Sequence, residues 1–242
     1  MLPVGSVSVT SAKDNTAHFR VRNAKHIICY ILPIFDAHPL LTSKHFKYSI
    51  FKKAILLMHD SSLSKEEKNI KISYLKTLSC DIPDNYISPA WQSVGNKVLS
   101  ITDACSVMSK SWLIGFTEAE GSFYLVKKGP LRLTHAFEIT PKLDIIVLQA
   151  ISHILGLKVT MKKPYITIVT TKHSSIDNII NYYSNKMKGM KALEFRIWSR
   201  SFYKEKARFF STKEKNFEYM AKIQNLMRNI RSIRHDRFLK VK

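Results

Sequence analysis

The chain repeats itself, and a long-period repeat constrains the architecture before any single element is assigned. Ile27-Ile28-Cys29-Tyr30-Ile31, followed by Lys44-His45-Phe46-Lys47-Tyr48-Ser49-Ile50-Phe51, has a counterpart downstream. That counterpart is Ile176-Asp177-Asn178-Ile179-Ile180, followed by Lys191-Ala192-Leu193-Glu194-Phe195-Arg196-Ile197-Trp198. Spacing is kept, with Lys44 and Lys191 147 residues apart and Ile27 and Ile176 149 apart. Apolar positions coincide at Phe46/Leu193, Ile50/Ile197 and Phe51/Trp198.

A hairpin is expected before each copy. Residues 6–10 and 18–22 alternate Val7, Val9, Phe19 and Val21 against Ser6, Ser8, Arg20 and Arg22, with Lys13-Asp14-Asn15 as the turn. Residues 158–162 and 165–170 flank Lys163-Pro164 in the same way. The second copy is preceded by elements the first lacks: a helix over 112–119, a hairpin over 122–140 and a helix over 143–155. Between the copies, residues 59–110 are rich in turn formers and charge and read as a linker. It carries one helix over 64–77, opened by a Ser64–Glu67 capping box. The expected organisation is an α+β chain with a partial N-terminal domain (1–58), a linker (59–110) and a complete C-terminal domain (111–242). The last domain ends in a basic helix with Arg228, Arg231 and Arg234 on one face.

Charge narrows the partner. Lys and Arg number 39 against 18 Asp and Glu, a formal +21 with a pI near 9.9, which calls for a polyanion, nucleic acid first. With 45% hydrophobic and 11% aromatic residues the chain has enough to bury for a globular core. No run approaches the roughly 18 apolar residues of a membrane span, and no membrane partner is expected. Residues 1–10 do not read as a secretory signal or an Arg-rich transit peptide. Cys29, Cys80 and Cys105 are odd in number and lack CxxC spacing, which argues against a disulfide framework or zinc site and for a reducing compartment.

The chemistry-bearing segment is Trp112-Leu113-Ile114-Gly115-Phe116-Thr117-Glu118-Ala119-Glu120-Gly121-Ser122-Phe123. Gly115 and Ala119 share a helix face and permit close approach of a second helix. Glu120 closes the helix, and Gly121 is expected to let the chain turn sharply into a strand. A carboxylate presented there, joined by a second, can hold hard divalent cations through oxygen. An ordinary helix-to-strand junction with a solvated Glu fits the same residues.

Residues 113–121 resemble the LAGLIDADG motif of homing endonucleases and maturases. The Ser122-Phe123 continuation, the segment Pro33-Ile34-Phe35-Asp36-Ala37-His38-Pro39-Leu40 and the Lys-led helix of each half are similar to two-domain organellar members. The resemblance implies an αββαββα unit used twice, each antiparallel sheet forming half of a saddle over DNA. Motif helices pack at the centre and end in metal-binding acids. It assigns Glu120 as catalytic acid and metal ligand, with Mg2+ or another divalent cation as cofactor. It sets Lys191 and Lys44 near the scissile phosphates, where a cation stabilises developing charge; surface lysines opening helices is the plainer alternative. Glu118 matches an acidic position that solvates or packs the helix, and His135 is expected to be packed or capped. The partner implied is a double-stranded DNA site, or host intron RNA for a maturase. The location implied is the mitochondrion, with the plastid as alternative.

Strand alternation over 122–140 puts Phe123, Leu125, Leu133, Phe137 and Ile139 on one face. Ser122, Tyr124, Lys128, Arg132, Thr134, Glu138 and Thr140 fall on the other, a set of donors and acceptors suited to base edges in the major groove. Arg20, Arg22, Lys162 and Tyr165 extend that set, and a merely solvated sheet face is the alternative. The repeat offset of 147 puts a partner for Glu120 at position −27, before Met1, so the expectation is one complete unit plus the C-terminal part of another. A fragment, a misplaced start and a decayed element all account for this. An upstream segment or self-association would supply the rest. Three readings follow: a site-specific endonuclease, a splicing maturase or inactive remnant, and a basic RNA-binding protein outside the family.

Overall fold

The computed structural model describes residues 4–11, 16–78, 81–140, 144–162, 165–189 and 191–237. The chain divides into two compact units, Met1–Lys97 and Val98–Lys242. The Lys13-Asp14-Asn15 and Lys163-Pro164 turns, Cys80 and residues 141–143 lie outside the described residues.

In the first unit β1 (Ser6–Ser11) and β2 (Thr16–Arg20) pair antiparallel, Val7 opposite Phe19 and Val9 opposite Ala17. The hairpin forms where alternation predicts it, but Val7 (73%), Phe19 (53%) and Val9 (52%) are exposed, because a two-stranded ribbon has too little surface to bury a face by itself. Arg20 is half-buried and Arg22 exposed.

A helical stretch follows: α1 (Ala24–His26), capped by Asn23, a π turn (Ile27–Ile31) and α2 (Leu32–Ala37). Ile27 and Leu32 pack with Ile55 of α3 (Lys44–His59). Asp36 fastens α2 to α3, accepting from Lys52 Nζ at 2.7 Å and Tyr48 OH at 2.9 Å. These two bonds hold its carboxyl below the usual range. α4 (Lys65–Leu78) opens on the expected box, with Ser64 N–H donating to Glu67 at 2.8 Å and Glu67 N–H to Ser64 Oγ at 3.2 Å. In the 3-10 turn Pro89–Val94, the buried Trp91 donates its indole N–H to Leu41 O at 2.8 Å. The unit boundary between Lys97 and Val98 thus falls inside the segment read as linker, and residues through Lys97 fold with the first unit.

The second unit opens with α5 (Ile101–Val107), started by a Ser100–Asp103 capping box, and α6 (Lys110–Glu120). Then come β3 (Gly121–Gly129), β4 (Arg132–Ile139), α7 (Ile145–Leu155), β5 (Val159–Lys162), β6 (Tyr165–Thr170) and α8 (His173–Tyr183), followed by α9 (Ala192–Lys206) and α10 (Lys213–Arg237). The strands form one antiparallel sheet in the order β3-β4-β6-β5. From α6 to α8 this is an αββαββα succession, and β5-β6-α8-α9 repeats the order β1-β2-helices-α3, as the internal repeat predicts.

Phe123, Leu125, Leu133, Phe137 and Ile139 are all buried, so strand alternation identified the core face. Phe123 is its hub, with ring centroids of Trp198 at 5.1 Å, Phe195 at 5.2 Å and Phe137 at 5.3 Å. α7 buries six apolar residues and ends at Gly156, whose φ of +63° only glycine adopts freely. α10 seals the free edge of β3. Gln224 Nε2 donates to Leu125 O and Arg231 Nη2 to Phe123 O, both at 2.8 Å, which removes an exposed edge. Arg231 also pairs with the buried Glu194 at 2.8 Å. It is therefore a structural cation, whereas Arg228 is exposed and the Arg234 side chain lies outside the described residues.

Candidate active site

α6 begins where Ser109 accepts Trp112 N–H at 3.1 Å. Leu113 and Thr117 face the core, and the Thr117 hydroxyl bonds the buried Tyr183 hydroxyl at 2.7 Å. Gly115 and Ala119 form the opposite, exposed stripe. The helix stops at Gly121, where the chain turns into β3 as expected, with an extended φ of −77°. Glycine is required there by space: a Cβ would come 2.6 Å from Thr117 Cγ2 and 2.8 Å from Thr117 O. Glu120 is exposed at this end, where the helix carbonyls concentrate negative potential.

Lys191 is brought to the same point. As N-cap of α9 it makes no side-chain cap bond of its own. Instead Nζ donates to the carbonyls of Gly121 (2.5 Å), Ala119 (3.0 Å) and Thr117 (3.5 Å). Partial burial pushes this ammonium below its ordinary value, opposed by the negative charges of Glu194, Glu120 and Glu118. The Glu118 carboxylate accepts the backbone N–H of Gly189 at 2.8 Å and of Lys191 at 3.1 Å. The resemblance implies only a solvating or packing role for Glu118, whose partners lie 71 and 73 residues away. The only signal in the sequence was the acid-x-acid spacing at a helix end.

Beside this end lies the sheet face opposite the core. Ser122 is exposed, Tyr124, Thr134, Glu138 and Thr140 are half-buried, and Lys128 and Arg132 are exposed at the far end of the hairpin. Lys128 falls in a register shift of the β3–β4 ladder. Glu138 accepts Tyr124 OH at 2.9 Å and Thr140 OH at 3.0 Å. Burial and this carboxylate push the Tyr124 hydroxyl up to about 12, so it stays protonated. Lys162 and Tyr165 face each other in the β5–β6 register, and their side chains lie outside the described residues. Lys44 is exposed at the start of α3 in the first unit, with Arg20 and Arg22 in that same unit.

His135 is buried among Trp198 and Phe202, with Ser201 Oγ 2.8 Å from Nε2 and Glu205 Oε2 3.1 Å from Nδ1. It is packed, as expected. Ser201 donates into the Trp198 carbonyl at 2.8 Å, so this trio joins β4 to α9 and presents no nucleophile. Among the described residues no three His, Cys, Asp or Glu side chains cluster to hold a metal, and no helix is long and apolar enough to cross a membrane.

The family model described as LAGLIDADG endonuclease matches residues 1–55 and 113–202. The chain is 35% identical over 240 residues to the "Probable intron-encoded endonuclease Cox1-I1b" of Schizosaccharomyces pombe, covering 96% of this chain. It belongs to the LAGLIDADG endonuclease family. The two matched segments carry Lys44 in one and Glu118, Glu120 and Lys191 in the other. The chain spans 56% of the length of that curated relative. Solved structures share the LAGLIDADG fold. I-SmaMI bound to uncleaved DNA target in the presence of calcium ions gives a TM-score of 0.74 at 21% identity, over 93% of this chain and 80% of that one. I-CpaMI bound to uncleaved DNA gives 0.70 at 18%, over 93% and 80%.

Proposed function

We propose that this LAGLIDADG chain serves a site-specific DNA endonuclease that hydrolyses phosphodiester bonds with the help of a divalent cation. The observation that carries this reading is the meeting of an exposed carboxylate, Glu120, and an ammonium, Lys191, at one helix end beside a polar sheet face. Phosphoryl transfer needs positioning and charge stabilisation more than covalent chemistry. The donor set fits a hard cation: Mg2+ is commonly held by one or two carboxylates together with substrate phosphates, and Glu120 supplies the carboxylate. Such a cation lowers the pKa of a bound water and offsets charge on the phosphate oxygens. Lys191 adds a positive charge already held in place by three carbonyls, suited to the charge that builds on the transferred group.

Duplex DNA is the substrate on this reading. Ser122, Tyr124, Thr134, Glu138 and Thr140 offer donors and acceptors to base edges, while Lys128, Arg132 and Lys162 offer charge to phosphates. Lys44, Arg20 and Arg22 supply the corresponding groups of the first unit. The net charge of +21 and the DNA-bound state of I-SmaMI and I-CpaMI support this. The intron-encoded relative supports an intron reading frame of an organelle, which we take to be the mitochondrion. Incubating the protein with a randomised duplex library and Mg2+, then sequencing the broken ends, tests the reading. Breaks enriched at one sequence and abolished by chelation are expected. Splicing of a host intron without any enriched break would favour the maturase instead.

A further inference from the structure

Glu118 and Lys191 each stand at the unfavourable end of their own helix. A carboxylate in the last turn of α6 and an ammonium at the first turn of α9 both oppose their helix dipoles. Each is compensated by the other helix. Glu118 caps α9 by accepting Gly189 N–H at 2.8 Å and Lys191 N–H at 3.1 Å. Lys191 caps α6 by donating to the carbonyls of Thr117, Ala119 and Gly121. A side chain at residue 189 would displace the carboxylate, because a Cβ would lie 2.5 Å from Glu118 Oε2 and 2.7 Å from its carboxyl carbon. The backbone at Gly189 and at Lys191 is therefore held directly on the carboxylate.

We propose that Glu118 is the positioning residue for Lys191, fixing the main chain from which the ammonium projects and so setting its place relative to Glu120. This rests on the proposed endonuclease reading for its consequence, but the lock itself is a property of the fold. Glu118 needs no contact with substrate or metal. Both of its oxygens are engaged by amides that a neutral carboxamide cannot both satisfy, since the glutamine NH2 would meet an N–H donor.

The test combines amide exchange with a double-mutant cycle on the full chain. In Glu118→Gln the Gly189 and Lys191 amides should exchange at least about tenfold faster, with other α6 and α9 amides unchanged. Single-turnover cleavage should fall about 10- to 100-fold, while the Kd for the DNA site stays within about threefold. In a Lys191→Met background the same substitution should cost no more than about threefold further, because its route through Lys191 is already gone. Gly189→Ala, which pushes the carboxylate away from the other side, should reproduce the exchange and rate effects if Glu118→Gln does not fold. Unchanged exchange at both amides, or effects of Glu118→Gln and Lys191→Met that multiply in full, would overturn the assignment. Failure of the wild-type chain to cut any duplex would instead count against the endonuclease reading, and the exchange data would still decide whether Glu118 holds the turn.

Discussion

Two methyl groups added six positions apart on the motif segment should act with opposite sign. At Gly121 a new Cβ would lie 2.6 Å from Thr117 Cγ2 and 2.8 Å from Thr117 O, well inside the roughly 3.5–4.0 Å of ordinary carbon contacts. Thr117 cannot step aside, because it is fully buried and its hydroxyl is bound to Tyr183 at 2.7 Å. Overpacking of this kind costs about 1–3 kcal/mol. Since φ is −77°, alanine is conformationally allowed, and the stiffer unfolded chain returns about 0.4–1 kcal/mol. The net is a loss of roughly 1–2 kcal/mol for Gly121→Ala. At Gly115 a Cβ meets nothing within 4 Å, so Gly115→Ala should gain about 0.5–1 kcal/mol from helix propensity. The two variants should differ by about 2 kcal/mol, some 30-fold in the equilibrium constant. Urea unfolding followed by hydrogen exchange of α6 and β3 amides measures this on the second unit alone. Gly121→Ala as stable as wild type would refute the steric argument. Gly115→Ala destabilised by more than about 1 kcal/mol would mean that something packs on the exposed stripe in solution.

Binding to a duplex should weaken about 10²- to 10³-fold between 50 and 200 mM salt, the response expected of roughly four or five neutralised phosphates. Fluorescence anisotropy measures it, and a flat response would point away from nucleic acid. Trp91→Phe removes the indole donor from the Leu41 carbonyl and should cost the first unit about 1–3 kcal/mol. A loss below about 0.5 kcal/mol in its thermal unfolding would show that residues 59–97 are not fastened to that unit as described.

What could be read from the residues was whatever repeats locally. The alternation from Phe123 to Ile139 gave the buried face, and Ser64 with Glu67 gave the start of α4. The Ser100–Asp103 box has the same form, but it and the Trp91 anchor lie in a stretch whose turn formers and charge read as linker. Other features depend on partners brought together only by folding. Glu118 meets amides more than 70 residues away, His135 meets Ser201 and Glu205, and Arg231 of the basic helix meets Glu194 and the edge of β3. Val7, Val9 and Phe19 show the converse: the period was right, but period alone does not say whether anything covers the face.

On the proposed function, Glu120 serves cleavage and not binding. The direct measurement pairs wild type with Glu120→Gln on one target duplex, following single-turnover cleavage with Mg2+ and affinity with the cation chelated. The variant should bind within about threefold of wild type, because the basic residues proposed to meet phosphates are unchanged. Its cleavage should be at least about 10³-fold slower, because the carboxylate proposed to hold the cation is gone. Cleavage by Glu120→Gln at the wild-type rate would contradict this role.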